Sequence, residues 1–490
     1  MTPVALSIAA VSWRMWARDL CRVLHVSTRF AVLIIGASIA AAFVFGGLLA
    51  TVTARQVTGD FPPELDLTIA RSSLAGVWLS SGLLATVFVL TVPPRTMLQS
   101  LLDLLPVSRR AATFGQLAPM STVTTVFCIA LALPAVAVFS RLFSGAALAR
   151  AVGGVVVAIV LAQLLAVSVF LVVSWGSRRL LRLATRYADT LAALVGMTLF
   201  GWSSSADLLT REIARPSRVD LLLHRLLAAA VTGDANAVSI AMGVIWVGAT
   251  IALVVVAGAV RPTVAELRMP SFLRGWRPSG GPFRAVVWLE ILTTVRTVQF
   301  VTTALAAFAL VGVAALLHRD PGTAELARAI ASAAPIAPVA VNMYAVGRTL
   351  PIRWIGDHLS PRQSAWAVAT AVAAFATSIG AALPVEAILL GLGILPAESL
   401  VGVVARVVLA GALALLAGAL IPVSQEQPVS TTAAAFLCGV LLLGGSVGVN
   451  TAVDAWGAGA LAVTLATTGV SLVLYARVCE RHVASDRVGG

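Results

Sequence analysis

Two short polar stretches hold the residue types in this chain best suited to specific work. The first reads Asp103-Leu104-Leu105-Pro106-Val107-Ser108-Arg109-Arg110, behind Pro93-Pro94-Arg95. The second reads Arg348-Thr349-Leu350-Pro351-Ile352-Arg353 and then Asp357-His358-Leu359-Ser360-Pro361-Arg362. Each holds an Asp, a leucine-containing turn, a Pro and then Arg at the mouth of an apolar run. Neither stretch nor its surroundings offer an acid/base constellation, so catalysis is not the expectation. A short rigid element that recurs suits docking to a two-fold partner. The plain alternative is arginine held beside a membrane with a helix-starting proline, and the recurrence in both halves weighs against it.

What the chain lacks is as informative. All 34 of its basic Lys/Arg positions are arginine. A coding bias toward GC-rich codons is the simple explanation. Without lysine there is no phosphate-binding loop ending in Gly-Lys-Ser/Thr and no Schiff-base lysine. His25, His224, His318, His358 and His482 are scattered, with no Glu-x-x-His pairing, so no metal site is expected. Cys21, Cys128, Cys438 and Cys479 show no CxxC spacing and read as free thiols. No cofactor is expected on this chain, and no nucleic-acid partner.

These residues must be positioned by membrane helices. Hydrophobic residues make up 59% of the chain and charged ones 11%, far below the roughly 25% charge of soluble domains. No period-two alternation appears, which argues against a β-barrel. The fold class expected is all-α: a polytopic membrane protein of about twelve transmembrane helices, each of about 20 apolar residues. They fall at 30–52, 72–92, 117–139, 151–173, 188–202 and 237–260. Six more fall at 298–317, 326–346, 365–383, 400–420, 431–449 and 456–476. The fifth is short enough to be tilted, broken or re-entrant, and the ninth continues past Pro384 toward Ile394. An Ala-Leu-Pro step recurs in the third run of each set, at Ala132-Leu133-Pro134 and Ala382-Leu383-Pro384. The halves are therefore read as two six-helix repeats: 1–260, a linker at 261–284, and 285–490.

Amphipathic surface helices precede each set. In residues 4–29, Arg14, Arg18, Arg22, His25 and Arg29 share one face at 100° per residue. Trp13, Trp16, Leu20, Val23 and Leu24 share the other, as in a helix lying at a membrane surface. Trp288-Leu289-Glu290 with Arg296 forms the second such segment. Arginines at 95, 109, 110, 178–186, 261–284, 348–362 and 477–487 alternate with less basic turns, placing both termini in the cytoplasm of a multi-pass inner-membrane protein. The turn Gln425-Glu426-Gln427 has no arginine to support this. Residues 203–236 form the longest external segment, read as short amphipathic helices.

Leu105-Pro106-Val107-Ser108-Arg109-Arg110, followed by Gly115 as the third run opens, resembles permease subunits of the second class of ABC exporters. That resemblance covers nearly the whole chain. It implies a cytoplasmic amphipathic helix (4–29), a coupling helix between spans two and three (93–110), and short outer helices before span six (203–236). In the second half, Trp288, Glu290 and Arg296 look like the second surface helix, and Asp357, His358, Pro361 and Arg362 like the second coupling helix. The second half has Ser360 before Pro361 and lacks comparable outer helices. The resemblance further implies two copies of a separate ATP-binding subunit, which would carry ATP and Mg, and a cargo that is a small molecule, a peptide or a lipid.

Polar residues inside apolar runs are costly and become pathway candidates: Gln163, Asn342, Tyr344 and Arg406. Their plain alternative is inter-helix hydrogen bonding, with snorkelling for Arg406. Glu386-Ala387 with Gly391 and Ile394 is similar to the Glu-Ala-Ala loop of ABC importers. The Gly-to-Ile gap is too short and the topology places it outside, so that reading is rejected. Two other classes remain: a secondary transporter driven by an ion gradient, which would favour carboxylates inside spans, and a lipid-modifying membrane enzyme.

Overall fold

The computed structural model describes residues 3–24, 27–56, 65–91, 102, 105, 107–183, 185–209, 220–260, 281–319, 324–349, 364–422, 459–488 and isolated positions between 434 and 449. These residues are all-helical, without a strand. Nine of the described helical segments are long and apolar enough to cross a membrane. The chain divides into two compact units, Met1–Asp19 with Ser27–Glu266, and Leu20–Val26 with Leu267–Gly490.

The first unit runs α1 (Pro3–Leu24), α2 (Thr28–Gln56), α3 (Asp66–Thr91), α4 (Arg109–Leu142), α5 (Gly145–Leu180), α6 (Thr185–Leu209), α7 (Leu223–Thr232) and α8 (Ala237–Ala259). Ser108 caps α4 by accepting the Ala111 N–H at 3.4 Å. Pro134 stands inside α4 and cannot donate to the carbonyl four residues back, that of Ala130. Gly46 of α2 lies against that carbonyl: a Cβ there would sit 2.0 Å from it. The Pro-for-donor loss and the glycine opposite it therefore set how closely α2 and α4 pack. The fifth run, expected to be short or broken, is a continuous 25-residue helix. The core lies among α3, α4, α5 and α7, with Leu74, Phe139, Ala158 and Val231 at its centre.

The second unit runs α9 (Pro282–Val295), α10 (Val298–His318), α11 (Ala324–Ala333), a 3₁₀ segment (Ala334–Tyr344), α12 (Ala345–Thr349), α13 (Ser364–Gly391), α14 (Ser399–Leu420) and α15 (Ala460–Val488). The eighth run is thus a broken helix. Pro335 and Pro338 lack the donors an α-helix needs there, and the chain tightens into 11 residues of 3₁₀. Such runs rarely exceed three or four residues, and longer ones mark strain or a hinge. Gly418 of α14 accommodates the result, because a Cβ there would sit 2.1 Å from the Met343 carbonyl. α13 continues past Pro384 to Gly391. It closes through Gly393 in the left-handed region (φ 67°), with the Ile394 N–H on the Leu389 carbonyl at 3.1 Å. The expected eleventh run is described only at isolated positions.

Candidate functional site

The surface helices differ in what they bury. On α1, Ala5, Ile8, Ala9, Ser12 and Trp16 are buried, and Arg14 and Arg18 are exposed. Trp13 meets Trp16 edge-on at 5.8 Å. The Arg22 side chain lies outside the described residues. α1 seats on α4 at Gly115, where a Cβ would meet Ile8 at 2.7 Å. On α9, Trp288 is half-buried and Glu290 fully buried, and Arg296 follows as the C-cap. Of the docking stretches, Leu105, Arg109 and Arg110 are exposed at the entrance to α4. Asp103, Pro106, Asp357, His358, Pro361 and Arg362 lie outside the described residues.

The four pathway candidates sit in different surroundings. Gln163 on α5 accepts from Thr125 on α4 at 3.0 Å. Asn342 and Tyr344 lie together in the broken eighth run, both buried, and Asn342 donates to Ser378 on α13 at 2.9 Å. Arg406 on α14 is exposed, its Nε bonded to the Gly402 carbonyl at 3.3 Å. An apolar groove of about 280 Å³ runs beside the 3₁₀ segment, lined by Ile336, Val339, Ala410, Ala414, Cys438 and Leu442. The broken helix borders this groove, and irregular backbone at membrane depth is tolerated chiefly where it lines a cavity or is buried in protein.

Three sites bury charge in a way that residue type and spacing did not indicate. In the first unit, Arg71 on α3 pairs with Asp220 at 2.8 Å, and both are buried. Asp207, near the end of α6, takes His224 Nε2 and Arg225 Nε, each at 2.6 Å. Arg225 Nη1 also lies 4.0 Å from Asp220. Burial alone raises the Asp207 carboxyl, but the hydrogen bonds and charges of His224 and Arg225 outweigh it and hold it below the usual range. Trp246 of α8 donates to the Leu221 carbonyl at 2.7 Å, tying α8 to the same cluster. The segment 203–236, expected as a surface feature, thus contributes α7 and a buried ionic network.

In the second unit, Glu290 on α9 faces Arg348 on α12, with Thr294, Thr370 and Tyr475 around them. Arg348 Nη2 donates to Thr294 Oγ1 at 2.8 Å. Glu290 Oε2 and Arg348 Nε and Nη1 have no hydrogen-bond partner. Burial pushes the Glu290 carboxyl up to about 7, against the opposing charge of Arg348 and the Thr370 hydroxyl. Tyr475 of α15 donates to the Ala367 carbonyl at 3.2 Å and closes the cluster. The third site is Glu386, which lies inside α13 rather than beyond it. It is 2% exposed and both its oxygens lack partners. A carboxylate therefore lies inside a membrane-length helix at Glu386. The sequence signal was present: the ninth run was already read past Pro384, and that reading carries Glu386 into it.

Among the described residues no group of three His, Cys, Asp or Glu could hold a metal ion. Comparison with protein-family models, curated proteins and solved structures finds no match. Chemically, the described sites bury charge and pair it in part.

Proposed function

We propose that this chain is the permease subunit of an ATP-driven exporter, with about twelve spans as two related halves and both termini in the cytoplasm. The observation that carries this reading is a plan repeated in each unit. A helix at the start of each unit, amphipathic in α1 but not in α9, packs on a membrane-length helix with an internal proline (α4, α13). The chain enters each of those helices from an arginine-bearing polar stretch. Arg109 and Arg110 occupy the first turn of α4, where cations oppose the helix dipole by roughly 0.3–1 kcal/mol each. The helix itself gains nothing from them, so their use lies outside it, on a partner or at the membrane face. With no lysine in the chain, ATP is hydrolysed on a separate pair of subunits. Closure of that pair pushes on the two stretches and rocks the halves, and the cargo is an amphipathic or hydrophobic compound.

The test is to recover the tagged chain from its native membrane in mild detergent and identify what accompanies it. An ATP-binding-cassette protein at about two copies per chain supports the reading. A chain that purifies alone even after crosslinking overturns it. A second reading, transport driven by an ion gradient, is favoured by one observation: the unpartnered Glu386 carboxylate within a membrane-length helix. Replacing residues 103–110 with a Gly/Ser linker separates the two. Loss of cargo-stimulated ATP hydrolysis in the complex supports the exporter, whereas unchanged transport supports the gradient-driven carrier.

A further inference from the structure

α5 is apolar enough to cross a membrane, and its end at Leu180 runs into a basic stretch that holds Arg178, Arg179 and Arg182. Arg178 is engaged inside the unit: its Nε donates to the Ser174 carbonyl at 3.0 Å, and the charge of Asp189 on α6 acts on it. Arg179 and Arg182 are exposed, and among the described residues neither enters a hydrogen bond or an ion pair. The Arg179 guanidinium lies 5.3 Å from the ring centre of Trp175, which is itself exposed. Leu180 and Leu181 stand between the two arginines and are 80% and 63% exposed. No other large apolar side chain among the described residues is as exposed as Leu180. Tyr187, in the first turn of α6, is exposed as well. Arginine in the last turn of a helix complements its carbonyl end, which accounts for Arg178 and in part for Arg179. It does not account for Arg182. That residue has φ 52° and is, among the described residues, the one non-glycine in the left-handed region. Glycine escapes the Cβ clash there, so the fold by itself favours glycine at this position. Arginine that merely orients a membrane protein needs neither the left-handed backbone nor the exposed leucines. The combination calls for a ligand that takes both charge and apolar surface.

We infer that the end of α5 binds an anionic phospholipid, with Arg179 and Arg182 on its phosphate and Leu180 and Leu181 against its acyl chains. A guanidinium presents paired N–H donors that match phosphate oxygens. A zwitterionic headgroup carries its own cation and gains less from them. Trp175 and Tyr187 supply the amphipathic rings that settle at headgroup level, and the leucines enter the acyl boundary. An acidic protein surface would satisfy the arginines and strand the leucines, so a lipid fits the whole patch better. The inference holds independently of how transport is energised.

The full-length chain, purified in mild detergent, is titrated with phosphatidylglycerol or with phosphatidylcholine of the same acyl chains, and lipid adducts are followed by native mass spectrometry. Phosphatidylglycerol is expected to bind at least about tenfold tighter, since each basic residue at an anionic surface contributes about fivefold. Arg179→Gln and Arg182→Gln together should remove that preference. Arg141→Gln with Arg150→Gln takes the same charge from exposed arginines elsewhere in the first unit and should leave the preference intact. Arg182→Gly suits the backbone and should lower phosphatidylglycerol binding about fivefold while melting no earlier than the native chain. That split separates a binding role from a structural one. Glycerol phosphate, which has the headgroup chemistry without the chains, should not displace the lipid. Equal binding of the two lipids by the native chain overturns the inference, as does an undiminished preference in the Arg179 and Arg182 variant. An equal loss in the Arg141 and Arg150 control also overturns it, because the effect would then be one of net charge. Displacement by glycerol phosphate overturns the lipid assignment in favour of a soluble anion.

Discussion

The two units each bury a cluster of charge, and they balance it differently. In the first, Arg71, Asp220, Arg225, Asp207 and His224 form a chain of ion pairs within 4.0 Å of one another. In the second, Glu290 and Arg348 face each other and leave three polar atoms without a partner, against two, Arg71 Nε and His224 Nδ1, in the first. A network whose charges are paired fixes geometry, because any displacement strands a charge in a low-dielectric interior. A half-satisfied one can exchange a proton or a partner at modest cost. Their positions sharpen the contrast. The first cluster joins α3 to the α6–α7 region. The second links α9 to Arg348 and Thr349, just before the stretch at 350–362. We read the first as the more rigid of the two, because direct ion pairs join its elements.

The comparison breaks most readily at Arg71. Arg71→Ala strands Asp220 in a buried site, and a loss of about 3–5 kcal/mol is expected, read as lowered thermal stability or new protease cleavage in the first unit. Stability unchanged within error would mean that Arg225 alone supports Asp220 and that the Arg71 pair is redundant. Next in size are the paired glycines. Gly46→Val and Gly418→Val each drive a side chain into a backbone carbonyl, which cannot yield as a flexible side chain can. Each should cost about 1–3 kcal/mol by melting. If only Gly418→Val also slows transport, the broken eighth run is the moving element and the Pro134 region of α4 is not.

Glu290 offers a test of sign. Its carboxyl sits near 7 when folded and near 4.5 when free. Below 4.5 it is neutral in both states and burial carries no ionic penalty. Between 4.5 and about 7 the folded state holds a proton that the unfolded chain has released, so stability falls as pH rises, then levels off above 7. Glu290→Gln should flatten this slope. A melting curve with the same slope in the variant would remove Glu290 as its source. Asp207 predicts the opposite dependence for the first unit. Its lowered value adds stability above its ordinary 3.8 that is lost as pH falls below it. The smallest effect is expected at Asn342→Ala, about 1 kcal/mol from the lost bond to Ser378.

Much of this protein was legible in its sequence, and the reason is the solvent. A bilayer rewards about 20 apolar residues in a row and requires every backbone polar group to be paired within the helix. The long apolar helices and the amphipathic character of α1 are local consequences of that rule, whereas the eighth run, read as an ordinary span, is broken at Pro335 and Pro338. Exclusions followed in the same way, since without lysine no phosphate loop of the standard kind can form. Charge pairing is different. Arg71 and Asp220 are distant in sequence, and Glu290, Arg348 and Tyr475 come from three helices. Nothing in the spacing of any one helix encodes such a meeting. Glu386 shows the boundary between the two. The sequence alone placed it on a proline-containing helix, because helix continuation is a local property. That its carboxylate is sealed without a donor was decided only by tertiary structure, because burial depends on which neighbours the packed helices bring to it.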